Sequence, residues 1–198
     1  MEREGEPLVA YEELRETPLC REMVFHGALI DVSHIQVRLP NGHTALREVV
    51  EHMGGAAVVP VDEQELVTLV RQHRVAVDLF TLDIPAGKMD RPGEDPFACA
   101  RRELGEETGL EAEQIELLTS MAPTPGFCAE RTHIFLATGL RQRAAHLDTD
   151  EFLNVERVPL REAVDRVMSG ELCDAKTALG LLMAWQRLHG GCTPAINM

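Results

Sequence analysis

The sequence predicts an α/β (α+β) fold in which a small N-terminal antiparallel sheet precedes a larger sheet joined to helices. Three observations carry this expectation. Residues 22–53 hold three apolar-rich segments, two of them joined by Pro40-Asn41-Gly42, a strong turn signal. A loop rich in Gly, Asp and Pro after Leu82-Asp83-Ile84-Pro85-Ala86-Gly87 leads into a helical stretch that stops at Gly109, a strand-loop-helix unit. The C-terminal third reads as two further helices.

Taken in order, the first sheet is expected from Met23–Val32, Ile35–Leu39 and Thr44–His52. Gly54-Gly55 breaks the pattern and divides the chain into an N-terminal β-sheet segment, 1–53, and a main domain, 54–198. Ala56–Val61 and Glu65–Arg74 open the main sheet around the polar turn Asp62-Glu63-Gln64. A helix is expected from about Asp95 to Thr108. Strands follow at Ile115–Ala122 and His133–Leu140, with the Pro123–Glu130 loop between them. Leu160–Ser169 and Ala175–His189 read as helices, the second amphipathic through Leu179, Leu181, Leu182, Met183 and Trp185.

Composition narrows the function classes. An apolar fraction of 44% with 26% charged residues, and no apolar run near the length of a membrane span, describes a soluble globular protein. The acidic N-terminus lacks the basic start and apolar stretch of an export signal. Five scattered cysteines, Cys20, Cys99, Cys128, Cys173 and Cys192, form no Cys-x-x-Cys pair, which fits a reduced cytoplasm. A net charge of −14 argues against nucleic acid as a partner, because that affinity comes from Lys and Arg releasing counterions. A phosphate substrate therefore implies mediating cations. The eight histidines show no paired ligand spacing, and neither a nucleophile elbow nor a P-loop occurs.

The informative stretch is Arg102-Glu103-Leu104-Gly105-Glu106-Glu107-Thr108-Gly109-Leu110. At about 3.6 residues per turn, Glu103, Glu106 and Glu107 share one helical face. Phe97, Ala100 and Leu104 form the neighbouring apolar stripe, so the acids border the core. Like charges about 4 Å apart near a protein surface repel by up to roughly 4 kcal/mol. Hard divalent ions such as Mg²⁺, or Mn²⁺ in its place, prefer such carboxylate oxygens. Acid spacing alone favours a solvated face paired to basic neighbours, and the flanking residues change that reading. Arg-Glu-Leu-x-Glu-Glu-x-Gly-Leu, preceded by Gly87 and Glu94, resembles the Nudix box at every fixed position of its helical half. One departure is the six residues between Gly87 and Glu94 where that box has five, an inexpensive insertion in a loop.

The resemblance extends from His26-Gly27 onward and points to the ADP-ribose pyrophosphatase branch of the Nudix hydrolases. It is carried by Leu39-Pro40-Asn41-Gly42 with Arg47–His52, by Val70-Arg71-Gln72-His73-Arg74, by Ile84–Lys88, by Thr124-Pro125-Gly126-Phe127 with Glu130, and by Asp174-Ala175-Lys176-Thr177. It implies a Nudix α/β/α sandwich with a mixed sheet and a Mg²⁺-dependent hydrolysis of ADP-ribose to AMP and ribose 5-phosphate. GDP-mannose or another nucleoside diphosphate sugar is the alternative substrate, and a non-catalytic ADP-ribose sensor is the alternative from another class. Carried over by position, Glu103, Glu106 and Glu107 become metal ligands, with the Ala86 carbonyl and Glu151 as additional ones. Arg102 pairs with Glu94 to orient the helix and is counted with Glu106 and Glu151 among the catalytic groups. Arg74, Pro125, Gly126 and Glu130 become substrate-binding residues. The acidic loop Asp148-Thr149-Asp150-Glu151 carries threonine where related chains have a glutamate, so Glu151 is the expected general base, with Asp148, Asp150 or Glu106 in reserve. The N-terminal sheet implies a homodimer.

Overall fold

The structure, a computed structural model, describes residues 8–89, 93–142 and 152–190. They fall into two compact units. One runs from the N-terminal residues to His52 and takes in Thr124–Glu130, and the other comprises Met53–Pro123 and the chain from Arg131 onward.

In the first unit, β1 (Thr17–His26), β2 (Asp31–Arg38) and β3 (Thr44–Glu51) form an antiparallel sheet in that order. The expected segment 23–32 is divided, because the chain turns at Gly27, whose N–H donates to the Ile30 carbonyl at 3.0 Å. Apolar residues on both sides hide that turn from a reading by periodicity. The Asn41-Gly42 turn stands where expected, closed by Leu39 N–H donating to the His43 carbonyl at 2.8 Å. Thr124–Glu130 joins this unit by backbone. Val50 N–H donates to the Phe127 carbonyl at 2.8 Å, and Ala129 N–H donates to the Val50 carbonyl at 2.9 Å.

The second unit holds two sheets. One is ordered β7 (Ala86–Lys88), β4 (Gly55–Pro60), β9 (Thr132–Gln142), β8 (Leu110–Met121), and the other β10 (Leu153–Pro159), β5 (Leu66–Arg74), β6 (Leu79–Asp83). β4 and β9 run parallel while the other pairs are antiparallel, so the sheet is mixed. Among the described residues three helices complete the unit: α1 (Pro96–Thr108), α2 (Leu160–Met168) and α3 (Ala175–His189). Among the described residues no helix is long and apolar enough to cross a membrane.

β4 is buried at every residue, as a strand covered on both faces must be. Its side chains alternate between two cores. Ala57 and Val59 join Leu69, Ile84, Ile134, Leu160 and Leu181 in the core that also takes α2 and α3. Ala56 and Val58 join Phe135 and the α1 residues Cys99, Ala100 and Leu104. Each fully buried leucine or isoleucine contributes roughly 1.5–3 kcal/mol through the apolar area removed from water, and this packing seats α1 on the sheet.

Three strands escape the sequence reading. β6 and β7 are short and separated only by Ile84-Pro85. β10 mixes Asn154, Glu156 and Arg157 with its valines, and its polar positions make sense only beside a partner strand. There Glu156 accepts from Arg71 Nε at 2.5 Å and Nη2 at 3.1 Å, across the β5–β10 pairing.

The Arg71 hydrogen bond holds the Glu156 carboxyl below its ordinary 4.5, against a smaller opposing effect of burial. A carboxylate whose folded value lies below its unfolded one adds stability above the unfolded value and loses it as pH falls through the folded one. Both side chains are about one-third exposed, which limits the pair to about 1 kcal/mol at most. Glu156→Gln is therefore expected to lower Tm slightly at pH 7, with the gap from the wild type closing as pH falls below 4.5 in thermal melts across pH.

Candidate active site

Local chemistry fixes the ends of α1. Asp95 caps it by accepting from Phe97 N–H at 3.1 Å, Pro96 occupies the first turn, and Gly109 closes it in the left-handed region at φ 67° with its N–H donating to the Gly105 carbonyl. The helix therefore starts and stops where the sequence places it. Its buried stripe comprises Cys99, Ala100, Glu103, Leu104, Glu107 and Thr108, recurring every three to four residues. Two of the motif carboxylates thus lie on the packing face, Glu103 at 6% exposure and Glu107 at 3%, while Glu106 is half-buried.

Two carboxylates one turn apart and nearly out of water need compensation. Arg102 Nη1 donates to Glu103 Oε1 at 2.6 Å and to Glu106 Oε2 at 2.8 Å, while Nη2 reaches the Lys88 carbonyl at 3.1 Å. Ala86 N–H donates to Glu107 Oε2 at 3.1 Å. Arg102, for which the resemblance implies a pairing with Glu94, also holds two of the motif glutamates. Beside it, burial first and the Glu103 charge second push the Cys99 thiol up to about 11, with Arg102 acting the other way. At neutral pH that thiol stays protonated.

The backbone of β7 closes the site from the opposite side. A Cβ on Gly87 would stand 1.9 Å from Glu103 Oε1 and 2.5 Å from Oε2, so glycine there is what lets the carboxylate lie against the main chain. Among the described residues no three His, Cys, Asp or Glu side chains form a ready ligand group. Arg102 Nη1 stands between the Glu103 and Glu106 carboxylates. The donor set still fits a hard divalent ion: carboxylate oxygens on one face, a backbone cradle at Gly87, and a positive charge already drawn to the same oxygens.

Arg74, at the end of β5, is anchored by Asp83. Its Nε and Nη2 donate to Asp83 Oδ2 at 3.2 and 2.9 Å, and the Thr81 hydroxyl donates to the same oxygen at 2.9 Å. Asp83 is 1% exposed, and its Oδ1 has no hydrogen-bond partner among the described residues. Sequence reasoning singled out Arg74 but not Asp83; an acid set between Leu82 and Ile84-Pro85 in an apolar stretch was the available signal. Pro125, Gly126 and Glu130 belong to the first unit. Pro125 and Gly126 are exposed in a turn closed by Phe127 and Cys128 N–H groups donating to the Thr124 carbonyl, and Glu130 lies 4.0 Å from His52 Nδ1. Glu151, with Asp148, Thr149 and Asp150, lies outside the described residues. A cavity of about 340 Å³ opens at the C-terminal end of α1, lined by Asp62, Thr68, Thr108, Gln142 and Arg157, but the motif glutamates do not line it.

The Gly87 contact generates a prediction. Gly87→Ala is expected to force the Glu103 carboxylate aside, with the fold retained by circular dichroism and with divalent-cation affinity lowered in titration calorimetry. Unchanged affinity would show that Glu103 does not need its present position.

Comparison with known proteins bears on what such a site belongs to. The NUDIX domain family matches residues 44–177. The chain is 39% identical over 168 residues to the methanol dehydrogenase activator of Bacillus methanolicus, covering 84% of this chain and 90% of that one. It is also 39% identical over 170 residues to the ADP-ribose pyrophosphatase of Bacillus subtilis (strain 168), covering 85% and 91%. The crystal structure of an ADP compounds hydrolase shares the fold, with a TM-score of 0.77 at 24% identity over 89% of this chain and 96% of that one. With its acidic helix set against a glycine of the preceding strand and two-thirds of its length matched, the chain belongs to the NUDIX family.

Proposed function

We propose that this chain is a Mg²⁺-dependent pyrophosphohydrolase, with Mn²⁺ an effective substitute, that cleaves ADP-ribose to AMP and ribose 5-phosphate. The observation that carries the reading is the pair of buried carboxylates, Glu103 and Glu107, held against the Ala86–Gly87 backbone with Glu106 beside them. Its substrate is supported by the Bacillus subtilis ADP-ribose pyrophosphatase, which this chain matches over nearly its whole length.

Glu103, Glu106 and Glu107, with the Ala86 carbonyl, would hold the metal, which supplies polarisation of the diphosphate and a lowered pKa for bound water. In this scheme Arg102 gives up its contacts with Glu103 and Glu106 and remains as positive charge at the rim of the site. Arg74, held by one edge on Asp83, presents its guanidinium to a phosphate oxygen. By the resemblance, Pro125, Gly126 and Glu130 are the further substrate-binding candidates. A water proton passes to Glu151, or to Glu106 in its place. The water oxygen bonds to one phosphorus as the bridging P–O bond breaks, so the two products together contain the elements of water.

The first unit serves a homodimer in this reading. Leu19, Met23, Val24 and Phe25 of β1 and Leu46 of β3 are all exposed in the single chain, and clustered exposed apolar residues are what a protein interface covers. Cys20, Cys99, Cys128 and Cys173 are free thiols, consistent with a cytoplasmic setting.

Purified protein with Mg²⁺ is expected to release AMP from ADP-ribose at a higher kcat/KM than it cleaves GDP-mannose or NADH, measured by product chromatography. Binding of ADP-ribose without turnover would favour a sensor instead. Glu107→Gln should lower kcat by more than roughly 100-fold, the scale of losing one group that stabilises the transition state. Arg74→Ala should reduce kcat/KM by roughly 10- to 100-fold, as expected for a hydrogen bond to a charged group. Sedimentation of the wild type should give twice the chain mass, and Phe25→Glu should shift it towards the monomer.

A further inference from the structure

Between the end of β6 at Asp83 and the start of β7 at Ala86 the chain leaves one sheet for the other. Its backbone donors there fall outside both ladders and need partners elsewhere. Each is accounted for. Ile84 N–H donates to the Thr177 hydroxyl oxygen at 3.0 Å, Pro85 carries no N–H, and Ala86 N–H donates to Glu107 at 3.1 Å. The Pro85 carbonyl accepts from Val58 N–H at 2.9 Å. The link that holds Glu107 is therefore two residues from a link to α3.

At the head of α3, Asp174 Oδ2 accepts from Thr177 N–H at 2.9 Å and from the Thr177 hydroxyl at 2.6 Å, and it pairs with Lys176 Nζ at 2.9 Å. Because the hydroxyl proton is given to Asp174, its lone pairs are left to face Ile84 N–H, and the orientation is fixed at both ends. Thr177 and Ile84 are both fully buried. Valine has the same shape, so burial alone does not account for a hydroxyl at this position. Asp174 serves as the helix cap, which would be satisfied without any contact to Ile84.

We infer that Asp174 and Thr177 are positioning residues for the metal-binding carboxylates. Acting through Ile84, they set where Ala86 and Gly87 stand relative to Glu107 and Glu103. The clearance is narrow: a Cβ on Gly87 would lie 1.9 Å from Glu103 Oε1, so only glycine fits against that carboxylate. If Ile84 N–H loses its acceptor, the segment is left with a buried unsatisfied donor at a cost of about 1–3 kcal/mol, and it relieves that cost by moving. Such movement carries the Ala86 N–H away from Glu107 and changes the cradle for Glu103. The inference rests on the proposed metal site but not on the identity of the substrate.

The test compares Thr177→Val, which keeps the volume and removes the hydroxyl, with Thr177→Ser, which keeps the hydroxyl. Mn²⁺ binding to the metal-free full chain is read from the electron paramagnetic resonance signal of free Mn²⁺, at a temperature where melts show both variants folded. Thr177→Val should bind Mn²⁺ roughly 10- to 100-fold more weakly, the usual effect of removing an outer-shell partner, and should need correspondingly more Mg²⁺ for half-maximal hydrolysis. Thr177→Ser should stay close to the wild type in both. Wild-type Mn²⁺ affinity in Thr177→Val, with a lowered Tm as its only defect, overturns the inference. If Thr177→Val does not fold, Asp174→Ala takes its place, because it removes the acceptor that fixes the Thr177 hydroxyl, and unchanged Mn²⁺ binding there overturns the inference equally. A wild type that binds Mn²⁺ but cleaves no nucleoside diphosphate sugar would sink the proposed function and leave this inference standing.

Discussion

Two carboxylates on the packing face of α1 are the constraint around which the second unit is arranged. Glu103 and Glu107 occupy positions that a helix of this pattern would ordinarily give to leucine or alanine, and both are almost closed to water. Charges in that setting are tolerated only when donors meet them. The donors come from two places: the guanidinium of Arg102 on the same helix and the backbone of β7, which the bare Cα of Gly87 lets come close. Leu104, Ala100 and Cys99 hold the helix at the distance that makes these contacts possible.

β4 ties this arrangement to the remainder of the unit. One set of its side chains packs on α1 and the alternate set packs towards α2 and α3, so a change on either side is felt on the other. The crossing segment Ile84-Pro85 reinforces the link, with one donor fixed by α3 and the next by α1. Asp83, immediately before it, carries a further buried charge that Arg74 and Thr81 satisfy at one oxygen only. Asp83 Oδ1 is thus a buried acceptor without a hydrogen-bond partner among the described residues, beside the Arg74 guanidinium.

The elements legible in the sequence were those whose signals are local. Asp95 and Gly109 mark the two ends of α1 through hydrogen bonds made within one turn, and Asn41-Gly42 marks the hairpin between β2 and β3 for the same reason. The turn at Gly27 was hidden because apolar residues flank it on both sides. β10 was hidden because Glu156 and Arg157 look like loop residues until Arg71 and Asp62 appear opposite them. Likewise Thr124–Glu130 read as a loop between strands of the main sheet, whereas its backbone pairs with Val50 of the N-terminal sheet.

The sequence by itself determined that Glu103, Glu106 and Glu107 share a helical face next to an apolar stripe, because a period of 3.6 residues allows nothing else. It also determined which family the chain belongs to, since the acids, the glycines and their intervals stand in one short stretch. Only the tertiary structure decided how deep each acid lies, that Arg102 bridges Glu103 and Glu106, and that Asp83 grips Arg74. Only it brought Thr177 to the backbone of Ile84, 93 residues earlier. Burial, the choice of partner for each guanidinium and the remote Thr177 contact all follow from how the sheets and helices pack together, which no local pattern encodes.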